Sequence, residues 1–230
     1  MAGKILASCA SQVYNGSMFM YTLPGLSAGR TQIRSQKPMG KEFELKYQAS
    51  PEDLKHILED FGDFSSISME THYYDTKDGS LGDLRWTLRR RLENGVSVCG
   101  LKTPGKNLIR GEWEVESDSI QEGVLAICQM DVPEGFREAV RNGLKEVCGA
   151  RFTRQARIAS TADGTVEIAL DQGVFLGGGR EKDFSEVEVE LKSGSREAAE
   201  AFARKLAGQY GLQELWISKF ERAFALSREG

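Results

Sequence analysis

Lys41-Glu42-Phe43-Glu44-Leu45-Lys46-Tyr47 alternates charge and hydrophobicity residue by residue, and its reading decides the fold. A period of two is that of a strand, so Glu42, Glu44 and Lys46 share one face and Phe43, Leu45 and Tyr47 the other. Two carboxylates on one strand face stand about 7 Å apart and repel unless a cation lies between them. A solvated outer face would account for one such strand. The pattern, however, returns four times. Arg85, Thr87, Arg89, Arg91 and Glu93 alternate with Trp86, Leu88 and Leu92, and Arg110, Glu112, Glu114 and Glu116 with Trp113 and Val115. Thr165, Glu167, Ala169 and Asp171 alternate with Val166, Ile168 and Leu170, and Glu186, Glu188, Glu190 and Lys192 with Val187, Val189 and Leu191.

Solvated faces mix polar residues of both signs, whereas here carboxylates recur two apart on several strands and arginines on another. The pattern predicts an α+β protein: a closed eight-stranded antiparallel β-barrel, a tunnel, with a charged interior and helices packed outside on the apolar faces. Further strands are read at Met69 to Asp75, Val96 to Thr103 after the Asn94-Gly95 hairpin signal, and Arg151 to Ser160. Helices are predicted from Pro51, where Ser50 caps and Gly62 stops the run, at Ile120 to Gln129, Gly135 to Cys148 and Arg196 to Tyr210, and within Leu215 to Leu226.

The 230 residues suffice for one sizeable core, and a net charge of -4 gives no general attraction to nucleic acid or anionic membrane. An anion must therefore meet a local basic cluster. Cys9, Cys99, Cys128 and Cys148 form no C-x-x-C pair, which points to a reducing, cytoplasmic setting. Residues 1–38 lack acidic residues and periodicity and read as a disordered extension or a mis-assigned start, leaving 39–230 as the domain. Oxygen ligands suit Mg²⁺ or Mn²⁺ and guanidinium groups suit phosphate, so the paired walls point to a metal-bound polyanion.

With Glu42-x-Glu44-x-Lys46 come Tyr73-Tyr74-Asp75-Thr76, Leu88-Arg89-Arg90-Arg91, Leu101-Lys102-Thr103-Pro104-Gly105, Glu167-Ile168-Ala169-Leu170-Asp171, Glu188-Val189-Glu190-Leu191 and Ser218-Lys219-Phe220-Glu221-Arg222. This ordered series, over residues 39 to about 226, resembles the CYTH or triphosphate tunnel metalloenzyme superfamily. Within it the chain is most similar to bacterial inorganic triphosphatases. The resemblance implies that Glu42, Glu44, Asp171, Glu188 and Glu190 hold Mg²⁺ or Mn²⁺, and that Lys46, Arg89, Arg91, Lys102, Arg154 and Lys219 hold the phosphates. Glu42, Glu44 and Lys46 then form the catalytic set, with Glu112, Glu114, Glu167 and Glu186 as secondary candidates. Arg157 departs from the family pattern, and its role is left open.

The expected activity is metal-dependent removal of the terminal phosphate of a triphosphate, inorganic triphosphate first. The alternatives are a class IV-type adenylyl cyclase, a thiamine or nucleoside triphosphatase, and a non-catalytic polyphosphate-binding module. Expected partners are a small-molecule triphosphate, neither nucleic acid polymer nor membrane, with the chain as monomer or homodimer. His56, His72, Cys99 and the Gly177–Gly179 run read as structural or surface features.

Overall fold

A computed structural model of the chain describes residues 36–104 and 110–229, with the backbone alone for residues 36–42 and 110. The reading of residues 1–38 as an extension therefore falls, up to residue 35, outside the described residues. The first strand, β1, spans Gln36–Glu42, and β2 spans Glu44–Gln48. Helix α1 (Pro51–Phe61) follows, closed at its start by a reciprocal cap between Ser50 and Asp53. Then come β3 (Ser65–Thr76), the short α2 (Ser80–Asp83), β4 (Thr87–Glu93), β5 (Val96–Thr103) and β6 (Arg110–Glu116). The β4–β5 hairpin turns on Asn94 and Gly95, both at positive φ, as a two-residue turn requires.

Helix α3 covers Ile120–Ile127 and α4 only Phe136–Ala139, followed by one 3-10 turn. The remaining elements are β7 (Leu144–Ser160), β8 (Thr165–Gly177), β9 (Arg180–Ser193), α5 (Arg196–Tyr210), β10 (Gln213–Glu214) and α6 (Lys219–Arg228). The helix expected over Gly135 to Cys148 is corrected here. Gly143, at φ 79, ends the helical turns, and Leu144 and Val147 enter a 17-residue strand instead.

The strands form one antiparallel sheet in the order β1-β6-β5-β4-β3-β7-β8-β9-β2-β10. The closed eight-stranded barrel expected from the sequence does not form: the sheet has ten strands and two ends, β1 and β10. The reason lies in the opening stretch. Its first part pairs with β6 as far as Glu42 opposite Arg110, and its second pairs with β9 from Glu44 opposite Glu190. The free edge of β2 is then taken by β10, Tyr47 opposite Glu214 and Gln48 opposite Gln213. The chain thus crosses from one end of the sheet to the other through Phe43 without a ladder joining them.

Three apolar clusters hold the sheet. Trp86, Leu88, Leu101, Trp113 and Val115 pack under α3 and α4. Tyr47, Ile168, Leu170, Val187 and Val189 pack under Leu54 and Ile57 of α1 and Ala203 and Leu206 of α5. The third cluster lies on the opposite face: Met69, Tyr73, Phe152, Phe175 and Phe184 pack against Ala223 and Leu226 of α6. Phe184 is in phase with Glu186 and Glu188, and Phe175 with Asp171, so the charged face turns aromatic at one end and α6 covers that end. Among the described residues, no helix is long and apolar enough to cross a membrane, and Cys99, Cys128 and Cys148 are free thiols.

Candidate functional site

The charged face curls around a cavity of about 790 Å³ that receives side chains from β2 through β9 and from α6. Glu44, Lys46, Arg89, Arg91, Lys102, Arg154, Glu188, Glu190 and Lys219 all line it. Eight strands far apart in sequence thus bring together most of the residues singled out by alternation. Of Glu42 only the backbone is described, opposite Arg110; its side chain lies outside the described residues. Asp171 stands on the same face but is fully buried beneath the lining.

One wall comes from β4, β5 and β6. Arg89, Gly100 and Glu114 are successive register partners, and with no side chain on Gly100 the Arg89 guanidinium reaches over it to Glu114 at 3.1 Å. Arg89 also lies 3.5 Å from Glu112, which Lys102 approaches to 3.2 Å. Arg91 pairs with Glu93 and lies 3.9 Å from Glu114. Burial works against the Glu114 carboxylate, but the positive field of Arg89 and Arg91 prevails and holds its pKa down to about 2. Burial, and then the neighbouring Arg89, push Arg91 below the ordinary guanidinium value. On this wall Arg89 and Arg91 thus crowd each other, while Glu93, Glu112 and Glu114 match the three cations in number.

A second wall comes from β2, β9 and β8. Glu190 has Glu44 as register partner on one side and Glu167 on the other, so three carboxylates stand in a row. Like charges directly opposite repel. Lys46 tempers the row at 3.2 Å from Glu44, and Lys192 does so at 2.8 Å from Glu190 and 3.5 Å from Glu167.

The floor is different in kind. Arg154 makes a two-pronged contact with Asp171 at 2.7 and 2.6 Å and reaches Glu188 at 2.5 Å. Lys219, the first residue of α6, lies 2.7 Å from Asp171 and 2.8 Å from Glu188, and also pairs with Glu186. Arg222, one helical turn on, pairs with Glu186 as well and lies over the Phe175 ring. Burial pushes the Glu186 carboxyl up, while Lys219 and Arg154 overcome burial at Glu188 and hold it low. Carboxylate oxygens of Asp171, Glu186 and Glu188 come within 4.8 Å of one another, close enough to share an ion. A protein cation already fills that place, because the Lys219 ammonium contacts all three.

Other side chains resolve into structural tasks. Arg157 donates to the carbonyls of Phe61 and Gly62, the latter at 2.7 Å, and so caps the C-terminal end of α1. Asp75 accepts from the backbone of Thr76 and Leu81 and fixes the turn into α2. His56 and His72 pair with surface glutamates. Arg222 was missed by sequence reasoning, although it sits inside the quoted Ser218–Arg222 motif; its spacing of three from Lys219 was the available signal.

The CYTH domain sequence model matches residues 40–224. The chain belongs to the CYTH family. An inorganic triphosphatase of Haemophilus influenzae is 27% identical over 195 residues, covering 82% of this chain, which spans 55% of that protein's length. Among solved CYTH-like folds, a Hippeastrum protein named as an adenylyl cyclase and described by its dominant triphosphatase activity superposes with a TM-score of 0.58. It is 18% identical and covers 80% of this chain and 95% of its own. A Pyrococcus horikoshii protein gives 0.57 at 23% identity, covering 80% and 98%. At these identities the likeness is one of fold. For this CYTH chain the geometry adds a cavity with a cationic wall, a carboxylate row and a rigid floor.

Proposed function

We propose that the chain hydrolyses the terminal phosphate of a triphosphate, inorganic triphosphate above all, with a divalent cation of the Mg²⁺ or Mn²⁺ type. The observation that carries this is the shared cavity into which Arg89, Arg91 and Lys102 project from one wall and Glu44, Glu188 and Glu190 from another. The donor set fits such a cation. These carboxylates offer only oxygen, the ligand hard divalent ions prefer, and the Glu44–Glu190 pairing is one whose repulsion an ion relieves. Glu44 and Glu190 would hold it, with Glu42 as a further ligand, while Asp171 and Glu188 anchor Arg154 and Lys219. When bound, the ion offsets phosphate charge and makes a bound water more acidic.

The chain's own residues do the rest. Arg89, Arg91, Lys102 and Lys46 take the phosphate oxygens, and Arg154 and Lys219, fixed on the floor, set the position of the chain of phosphates. Glu44 accepts the proton of the attacking water, with Lys46 at 3.2 Å holding its carboxylate in place. Glu42 is the second candidate for that proton. Transfer to water needs positioning and charge stabilisation rather than a nucleophilic side chain. The test is to incubate the protein with Mg²⁺ or Mn²⁺ and triphosphate, thiamine triphosphate or ATP, measuring phosphate, pyrophosphate and cyclic nucleotide together. Phosphate from triphosphate, lost in Glu44→Gln, supports the proposal. Cyclic nucleotide with pyrophosphate would overturn it in favour of a cyclase, and no product from any substrate would favour a binding module.

A further inference from the structure

Arg85 breaks two regularities at once. It is one of three described non-glycine residues at positive φ, at 57°, a conformation that costs an L-residue on the order of 1 kcal/mol. The other two, Asp63 and Asn94, are of the types that tolerate it. Arg85 also lines the cavity, where the other basic residues are engaged. Arg89, Arg91, Lys102, Arg154, Lys192, Lys219 and Lys46 have carboxylate partners. Arg228 lies over the Phe224 ring at 4.6 Å. Among the described residues, the Arg85 side chain has neither a carboxylate nor a ring partner, and it is exposed where Arg89 and Arg91 are half-buried.

The backbone that carries it is nonetheless fixed. Its amide donates to the Gly82 carbonyl at 2.9 Å, and the α2 turn beneath is held on the buried Asp75. Arg85 lies two residues before Thr87, which is the register partner of Lys102, so its Cα stands within about 7 Å of the Thr87 Cα, next to the Thr87–Lys102 row of the same cavity. Among the described residues, this strained guanidinium has no partner in the fold that an uncharged residue could not replace.

We propose that Arg85 is a specificity-determining residue that binds an anionic group beyond the phosphates seated on Arg89, Arg91 and Lys102, and so favours a linear tetraphosphate over triphosphate. This rests on the triphosphate reading of the same cavity. The experiment is titration calorimetry of the full chain with inorganic triphosphate and with inorganic tetraphosphate, for wild type, Arg85→Gly and Arg85→Lys, with thermal unfolding in parallel. Arg85→Gly should unfold no lower than wild type, since glycine accepts positive φ freely. It should weaken tetraphosphate binding about tenfold and triphosphate binding less than about threefold, and Arg85→Lys should restore most of the loss. Unchanged tetraphosphate affinity overturns the proposal, as does an equal loss for both ligands with a lowered midpoint, which would make Arg85 structural. Intact binding without turnover would count against the hydrolase reading alone; binding of neither ligand would defeat both.

Discussion

The β4–β6 wall and the floor beneath α6 carry the same residue types, arginine or lysine interleaved with glutamate at strand spacing, yet they are built for opposite ends. At the wall Arg89 lies 3.1 Å from Glu114 and Lys102 3.2 Å from Glu112, Arg91 pairs more closely with Glu93, and all three cations line the cavity. At the floor contacts tighten to 2.5–2.8 Å, and Asp171 and Glu186 have no exposure at all. Loose pairs facing a cavity can exchange partners for a ligand. Pairs to the fully buried Asp171 and Glu186 cannot, because separating them leaves a charge buried, even though their partners Arg154 and Lys219 line the cavity. A charge pattern in sequence therefore marks the inward face, and burial decides which part of it is available for binding.

The largest effect is expected at the floor. Lys219→Met leaves Asp171, Glu186 and Glu188 sharing Arg154 and Arg222, and should cost about 3–5 kcal/mol of unfolding free energy, read by urea titration. A loss below about 1 kcal/mol would show that the floor is no tighter in function than the wall.

Acid should separate the regions next. Glu114 sits below its ordinary value of 4.5, at about 2, so its contribution is present above pH 4.5 and is lost as pH falls towards 2. That contribution is on the order of 3 kcal/mol. Wild type should therefore lose stability through this window more steeply than Glu114→Gln, as followed by unfolding at each pH. Glu186 is shifted upward by burial, so its contribution has the opposite sign: present at low pH and lost as pH rises through its raised value. Equal slopes in wild type and Glu114→Gln would remove the wall's electrostatic distinction.

A smaller effect tests a residue outside both regions. Arg157→Met uncaps α1 and should cost about 1–2 kcal/mol without changing the affinity for triphosphate. A loss of affinity would mean that Arg157 belongs with the cavity after all.

Much of this was legible in the sequence because the inward face is written in a period of two. Residues 96–103 and 196–210 have the bounds expected, the former from its Asn94-Gly95 turn signal, and Ser50 caps α1 as expected. Apart from Arg85, read as a strand residue but found in a turn at positive φ ahead of β4, the failures are long-range. Nothing local says that β10, two residues long, occupies the edge of β2 and leaves the sheet open. The apolar spacing of Phe136, Val140, Leu144 and Val147 suits a helix, but pairing of β7 with β3 draws Leu144 and Val147 into the sheet. The burial of Asp171 likewise depends on where α6 docks, which alternation within β8 does not encode.

The most direct measurement compares Arg91→Met at the wall with Arg222→Met at the floor, each read by triphosphate affinity in calorimetry and by the urea unfolding midpoint. The two-region account predicts that Arg91→Met loses at least about tenfold in affinity with little change in midpoint, whereas Arg222→Met lowers the midpoint and, under folding conditions, keeps its affinity. Equal loss of affinity in the two variants would contradict it.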